Sequence, residues 1–289
     1  MKTIYLADDD EDDRMLIRVA VEQVISPVRI IELDSGDDLI RYITNQGISV
    51  DPAMIIMDMN MPRLSGLETL EILKMNDVSQ HIPVLMLSTT SNRALIRDAY
   101  ERGVNAFLEK PVHEADFVKL AKAVDACFLN SSHVSDETTV TAGREQGSVI
   151  VIEDNEDHLF FIRNALNDCM PEVQITEFTN AAAVNEQLGP AWDSIHPAPH
   201  LILMDLYLPD RQDGLDLLVN IHQLLINKNC RAVPVIVFSY SDKPEDMHAS
   251  YQRNANAFMT KSKNASLWKN DFNNLRNFWW NTVSTPDRR

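Results

Sequence analysis

Short apolar runs alternate with stretches whose apolar positions recur at helical steps, and this happens twice along the 289-residue chain. Ile4–Ala7, Val28–Leu33, Met54–Met57, Pro83–Leu87 and Ala106–Leu108 are too short for helices and read as apolar on both faces, which predicts buried parallel strands. Between them Leu16, Ile17, Ala20, Val21 and Val24 keep helical spacing, as do Leu67, Leu70, Ile72 and Leu73. The second half repeats the alternation with Val149–Ile152, Val173–Phe178, Leu201–Met204, Pro234–Phe238 and Asn256–Met259. Five strands alternating with five helices predict an α/β fold, a parallel sheet covered by helices on both faces.

The repeat also extends to polar landmarks. An apolar run ends in Asp8-Asp9 and again in Glu153-Asp154; a second ends in Asp58 and again in Asp205. A third ends in Ser88 and again in Ser239, and a fourth reaches Lys110 and again Lys261. Constant order with slightly drifting spacing is what loop insertions in a duplicated domain produce. Ser131 to Gly147 has no aromatic residue and no helical period, and reads as a linker. The expected organisation is therefore a domain at 1–130, a linker at 131–147 and a second domain at 148–289. Each domain would hold a doubly wound five-stranded parallel sheet.

Composition narrows the function. The net charge of −17 repels phosphate backbones and anionic lipid, which argues against nucleic-acid and membrane partners. Three scattered cysteines form neither a zinc cluster nor a disulfide framework and fit a reducing cytoplasm, as does an amino terminus that runs straight into acids.

In open parallel sheets ligands bind beyond the carboxyl ends of the strands. That rule would gather Asp8, Asp9 and Asp58 with Ser88 and Lys110. Three carboxylates in one place need a cation, and oxygen donors with room for water suit Mg²⁺. A carboxylate beside Mg²⁺ can attack a phosphoryl group, with Lys110 and Ser88 on the other phosphoryl oxygens. Taken singly, a double acid after a strand is commonly a helix cap, and a serine or lysine there a turn or surface residue. Recurrence in fixed order in both halves outweighs those readings.

ADDDEDDRML, MIIMDMNMPRLSG, PVLMLSTT and NAFLEKPV in the first half resemble response-regulator receiver domains of two-component signalling. IEDNEDHLFF, LILMDLYLPDRQDG, PVIVFSYS and NAFMTKS in the second half do so too. The resemblance implies flavodoxin-like topology and phosphoacceptors at Asp58 and Asp205. It implies Mg²⁺ ligation by Asp9 and Asp154, by Asp8 and Glu153 through water, and by the carbonyls of Asn60 and Tyr207. It also implies switch pairs Ser88 with Phe107 and Ser239 with Phe258, and an output face on the fourth and fifth strands. Implied partners are a histidine kinase or histidine phosphotransfer protein and a downstream protein target. Such a protein is not an enzyme on other substrates, since only self-phosphorylation and autodephosphorylation are expected.

The second copy departs from the pattern in two places. Lys110 is followed by Pro111, a bond typically cis in the family, whereas Lys261 is followed by Ser262, where trans is expected. Asp58 precedes Gly66 by eight residues and Asp205 precedes Gly214 by nine. No DNA-binding or nucleotide-cyclising output module is recognisable after Lys261. A scaffold whose second domain does not cycle phosphate is the main alternative. A Mg²⁺-dependent aspartyl-nucleophile phosphohydrolase fits less well, because Asn60 and Tyr207 stand where its acid/base would be. His113, His158 and His222 read as helix-surface residues. Trp268, Phe272, Leu275 and Trp279 form a core stripe, with Phe278 and Trp280 off it as a cover of the sheet edge or of the other domain, or as an interface patch, which leaves a homodimer open.

Overall fold

The computed structural model describes residues 1–45, 53–129 and 147–286. The expected linker lies outside them except for Gly147, which opens a strand. The described residues fall into two compact units, one within Met1–Ser132 together with Thr282–Arg289, the other within His133–Asn281.

The first unit runs β1 (Lys2–Ala7), α1 (Glu11–Val24), β2 (Val28–Leu33), α2 (Gly36–Asn45), β3 (Met54–Asp58), α3 (Gly66–Met75), β4 (Val84–Ser88), α4 (Arg93–Glu101), β5 (Ala106–Glu109) and α5 (Glu114–Val124). Its sheet is wholly parallel in the order β2-β1-β3-β4-β5. Helix α1 packs on α5, and α3 on both α2 and α4, the two helical layers of a doubly wound sheet. The crossover reverses between β1 and β3, so the crevice opens where Asp8 and Asp58 end their strands.

The second unit repeats the order: β6 (Gly147–Ile152), α6 (Glu156–Cys169), β7 (Val173–Phe178), α7 (Ala181–Ala183), α8 (Gly189–Ala191), β8 (Pro199–Met204), α9 (Arg211–Asn227), β9 (Val235–Ser239), α10 (Pro244–Tyr251), β10 (Ala257–Thr260) and α11 (Trp268–Trp279). Its sheet is β7-β6-β8-β9-β10, again parallel. Between α7 and α8 the chain takes a π-helical turn at Val184–Leu188, so the second helix of this copy is a broken one.

Two expectations change. Strands β2 and β7, each at one edge of its sheet, are not buried on both faces: no residue of β2 is fully buried, and the polar Arg29, Glu32 and Gln174 are exposed. Phe278 belongs to the core with Trp268, Phe272, Leu275 and Trp279, since it is fully buried, while Trp280 stacks on His200 at 5.5 Å between ring centroids.

Local chemistry explains the boundaries. Asp10 caps α1 by accepting from the Asp12 and Asp13 N–H groups, and Asn155 caps α6 by accepting from the His158 N–H. Ser65 and Glu68 form a reciprocal capping box that starts α3 directly after the Asp58 loop. The repeated Asn-Ala-Phe is structural: Asn105 Oδ1 accepts from Val84 N–H, and Asn256 Oδ1 from Val235 N–H, each at 2.9 Å. Among the described residues no helix is long and apolar enough to cross a membrane.

Candidate functional site

Strands β1, β3 and β4 end in Ala7, Asp58 and Ser88, so the acids and the hydroxyl emerge side by side at one rim of the sheet. Strand β5 delivers the fourth landmark: the Lys110 N–H donates to Ser88 O at 2.8 Å, which continues the β4–β5 ladder by one residue. The side chain then turns onto the acids. Lys110 Nζ lies 2.8 Å from Asp8 Oδ2, 2.9 Å from Asp58 Oδ1 and 2.6 Å from Asp13 Oδ2. Asp13 is not among the expected site residues; it stands in the first turn of α1, where an acid ordinarily reads as dipole compensation. The Lys110–Pro111 bond is trans, not cis, and the ladder bond to Ser88 already brings the lysine into reach of the acids.

Charge here is unbalanced. Three carboxylates share one ammonium, and Asp8 and Asp58 are both buried. Burial pushes the Asp8 carboxyl up, with the Lys110 hydrogen bond opposing it. Burial pulls the Lys110 ammonium down, but hydrogen bonds to Asp13, Asp8 and Asp58 outweigh it and leave it above the ordinary lysine value. All the donors are oxygens, so the set fits a hard divalent cation. Asp9 is exposed beside the cluster. Asp58 Oδ2 accepts from the Asn60 N–H at 2.6 Å, which fixes the carboxylate's orientation. Ser88 and Phe107 are both fully buried, and Ser88 Oγ accepts from the Thr90 N–H at 3.2 Å.

The second unit builds the same rim with different neighbours. Lys261 N–H donates to Ser239 O at 2.7 Å, and Lys261 Nζ bonds Glu153 Oε2 and Asp205 Oδ2, each at 2.6 Å. This lysine is buried, as are Glu153, Asp205, Ser239 and Phe258, while Asp154 is exposed. Burial raises the Glu153 carboxyl, against the pull of Lys261. Asp205 Oδ1 accepts from Leu206 N–H at 2.6 Å and Tyr207 N–H at 3.3 Å. The Lys261–Ser262 bond is trans as expected.

Two features of this copy escaped the sequence reading. His158 is no mere surface residue, since its Nδ1 lies 3.0 Å from Glu153 Oε1. Asp246, a buried acid in the first turn of α10, accepts from Tyr207 Oη at 3.0 Å and Ser241 Oγ at 2.5 Å and pairs with Arg211. It ties the loop after Asp205 to the loop after β9. The sequence signal for Asp246 was only an acid at a helix start, a position that ordinarily reads as dipole compensation.

Glycine 66 and Gly214 play one role despite the different spacing. A Cβ on Gly66 would sit 2.5 Å from Asp58 O, and one on Gly214 would sit 1.8 Å from Leu206 O. Each helix start therefore packs directly on the backbone of the acceptor loop.

A family model for the response regulator receiver domain matches the chain twice, at residues 4–122 and 149–270. Response regulator Rcp1 of Synechocystis is 29% identical over 133 residues, covering 45% of this chain and 90% of that protein. The probable methanogenesis regulatory protein FilR2 of Methanothrix harundinacea is 30% identical over 129 residues, covering 44% and 83%. Among solved structures, the Mn(2+)-bound form of response regulator Rcp1 aligns at 28% identity and a TM-score of 0.41, over 50% of this chain and 99% of that one.

Proposed function

The chain belongs to the response-regulator receiver family, and from that premise we propose that it accepts a phosphoryl group on Asp58, and on Asp205 in the second unit, and signals by protein contact. The observation that carries this reading is the Lys110 ammonium held by Asp8, Asp13 and Asp58 at the strand ends. In the transfer, an Asp58 carboxylate oxygen attacks phosphorus while the N–P bond of a phosphohistidine breaks. The imidazole leaves with the electron pair and takes a proton from solvent. The Asn60 N–H holds the carboxylate in place, Lys110 pairs with one phosphoryl oxygen, and the Ser88 hydroxyl turns to donate to another. Movement of Ser88 opens space for Phe107, and this repacking of β4 and β5 is the signal.

Mg²⁺ would be held by Asp8, Asp9, Asp58 and the Asn60 carbonyl, and by Glu153, Asp154, Asp205 and the Tyr207 carbonyl. When bound it supplies charge neutralisation for the transferring group. The donor is a histidine kinase or histidine phosphotransfer protein, the recipient is another protein, and the site of action is the cytoplasm. The protein turns over no other substrate. Two acceptors, rather than one acceptor and a scaffold, are favoured because Lys261 keeps its contact with Asp205 despite Ser262.

Incubating the full chain with Mg²⁺ and acetyl phosphate tests the assignment. Intact-mass measurement should find two phosphoryl groups on the native chain, one on Asp58→Asn, one on Asp205→Asn and none on the double variant. A phosphoryl group retained by the double variant overturns both assignments.

A further inference from the structure

The acid that follows β6 is gripped from two sides. Glu153 Oε2 faces Lys261 Nζ at 2.6 Å, and Glu153 Oε1 faces His158 Nδ1 at 3.0 Å. One ligand atom from each of Glu153, His158 and Asp205 lies within 4.8 Å of the others. Donors bound at roughly 2.0–2.2 Å lie at most about 4.4 Å apart, so side-chain shifts of a few tenths of an ångström bring this set around a single divalent ion. Lys261 leaves each acid a second oxygen: Glu153 Oε1 lies on the His158 side, and Asp205 Oδ1 on the loop N–H groups.

His158 is also held in place. It stands in the first turn of α6, its N–H bonded to Asn155 Oδ1 at 3.0 Å. The Tyr240 and Trp268 rings flank its imidazole at 5.2 and 5.9 Å. Its side chain keeps 25% of its exposure, so an ion can reach it. In the first unit the corresponding position, five residues beyond the strand-end acid, is Asp13, whose carboxylate bonds Lys110 at 2.6 Å. The copies thus share a scaffold and differ in that one offers a nitrogen donor where the other offers an oxygen.

We infer that the second unit's centre is a mixed nitrogen–oxygen metal site, in which His158 Nδ1 joins the Glu153 and Asp205 carboxylates and selects a transition-metal dication over Mg²⁺. The inference rests on the reading that the Asp205 strand end binds a divalent ion. Mg²⁺ prefers oxygen and keeps its waters, so an imidazole adds little to its affinity. Co²⁺, Ni²⁺ and Zn²⁺ accept imidazole readily, and the gain rises from Mn²⁺, the weakest of the series, through Co²⁺ to Ni²⁺. The first unit, with oxygen donors only, keeps the preference for a hard cation.

The test uses the full chain with the first site disabled by Asp9→Asn and Asp58→Asn, titrated with Mn²⁺, Ni²⁺ and Mg²⁺ separately. Pulsed EPR of bound Mn²⁺ should show coupling to one nitrogen. His158→Asn, which keeps a hydrogen-bond donor toward Glu153, should abolish that coupling and weaken Ni²⁺ binding about tenfold or more while changing Mg²⁺ affinity less than about twofold. Mn²⁺ binding that Asp205→Asn removes but that shows no nitrogen coupling overturns His158 as a ligand and leaves the metal reading standing. Absence of any ion that Asp205→Asn displaces overturns both.

Discussion

Lys110 carries one positive charge among three carboxylates, two of them buried, and this fixes what its loss does. Removing one partner of a buried ionic cluster leaves uncompensated charge, a change that costs roughly 3–5 kcal/mol in comparable sites. Lys110→Met should therefore lower the first unit's stability by about that much in metal-free buffer, with Mg²⁺ restoring a large part of it. Chemical denaturation with and without the ion decides it, and a loss that Mg²⁺ leaves untouched would count against a cation site. His222, which the sequence places on a helix surface, is instead largely buried and supplies a separate effect. Burial holds its pKa down at about 4, against a bond to the Asn254 backbone, and its Nε2 is buried without a partner among the described residues. The unfolded chain takes up this proton near pH 6.5 and the folded chain only near 4, so stability present above pH 6.5 is lost as pH falls through that window. The shift is worth at most about 3 kcal/mol. His222→Leu should flatten this part of the pH–stability curve, and an unchanged slope between pH 6.5 and 4 would refute the assignment.

At the scale of elements, the acceptor loops depend on a helix start pressed against backbone. Alanine at Gly66 would gain up to about 1 kcal/mol of helix propensity, but its Cβ would lie 2.5 Å from Asp58 O. Such overpacking costs about 1–3 kcal/mol. Gly66→Ala should be destabilising, and Gly214→Ala more so, because its Cβ would meet Leu206 O at 1.8 Å. Thermal melts of the two variants check the order, which the spacing alone could not supply. The sequence made the strands legible because buried parallel strands must be apolar, and it placed Asp58, Ser88 and Ser239 at strand ends because the runs stop there. It misread β2 and β7 as apolar on both faces, although Arg29 and Glu32 in the one and Gln174 and Glu177 in the other already set them apart from the central strands. It also missed Asp13, His158 and Asp246. Each stands in the first turn of a helix, where the sequence shows a charge or an imidazole but not the direction in which the side chain points.

The whole molecule is a duplication whose two copies keep separate cores, and one short segment complicates that division. Val283 forms an antiparallel bridge with Leu108, the Ser284 N–H donates to Phe107 O at 2.7 Å, and Tyr100 Oη donates to Ser284 O at 3.1 Å. Val283 and Ser284 thus extend the first unit's sheet at the edge of β5, although they follow the second unit in sequence. The motif reading gave this tail to the second domain because sequence adjacency was its only guide. An uncovered edge strand invites pairing with other chains, so the cover should matter for solubility as well as stability. Val283 is buried, and burying a valine side chain is worth about 1.5–3 kcal/mol. All four tryptophans, Trp192, Trp268, Trp279 and Trp280, lie in the second unit, so tryptophan fluorescence follows that unit alone while circular dichroism follows both. Val283→Ser should lower the first unit's transition in the dichroism signal and leave the fluorescence transition in place. If the fluorescence transition moves by the same amount, the tail stabilises the chain as a whole rather than the edge of the first sheet.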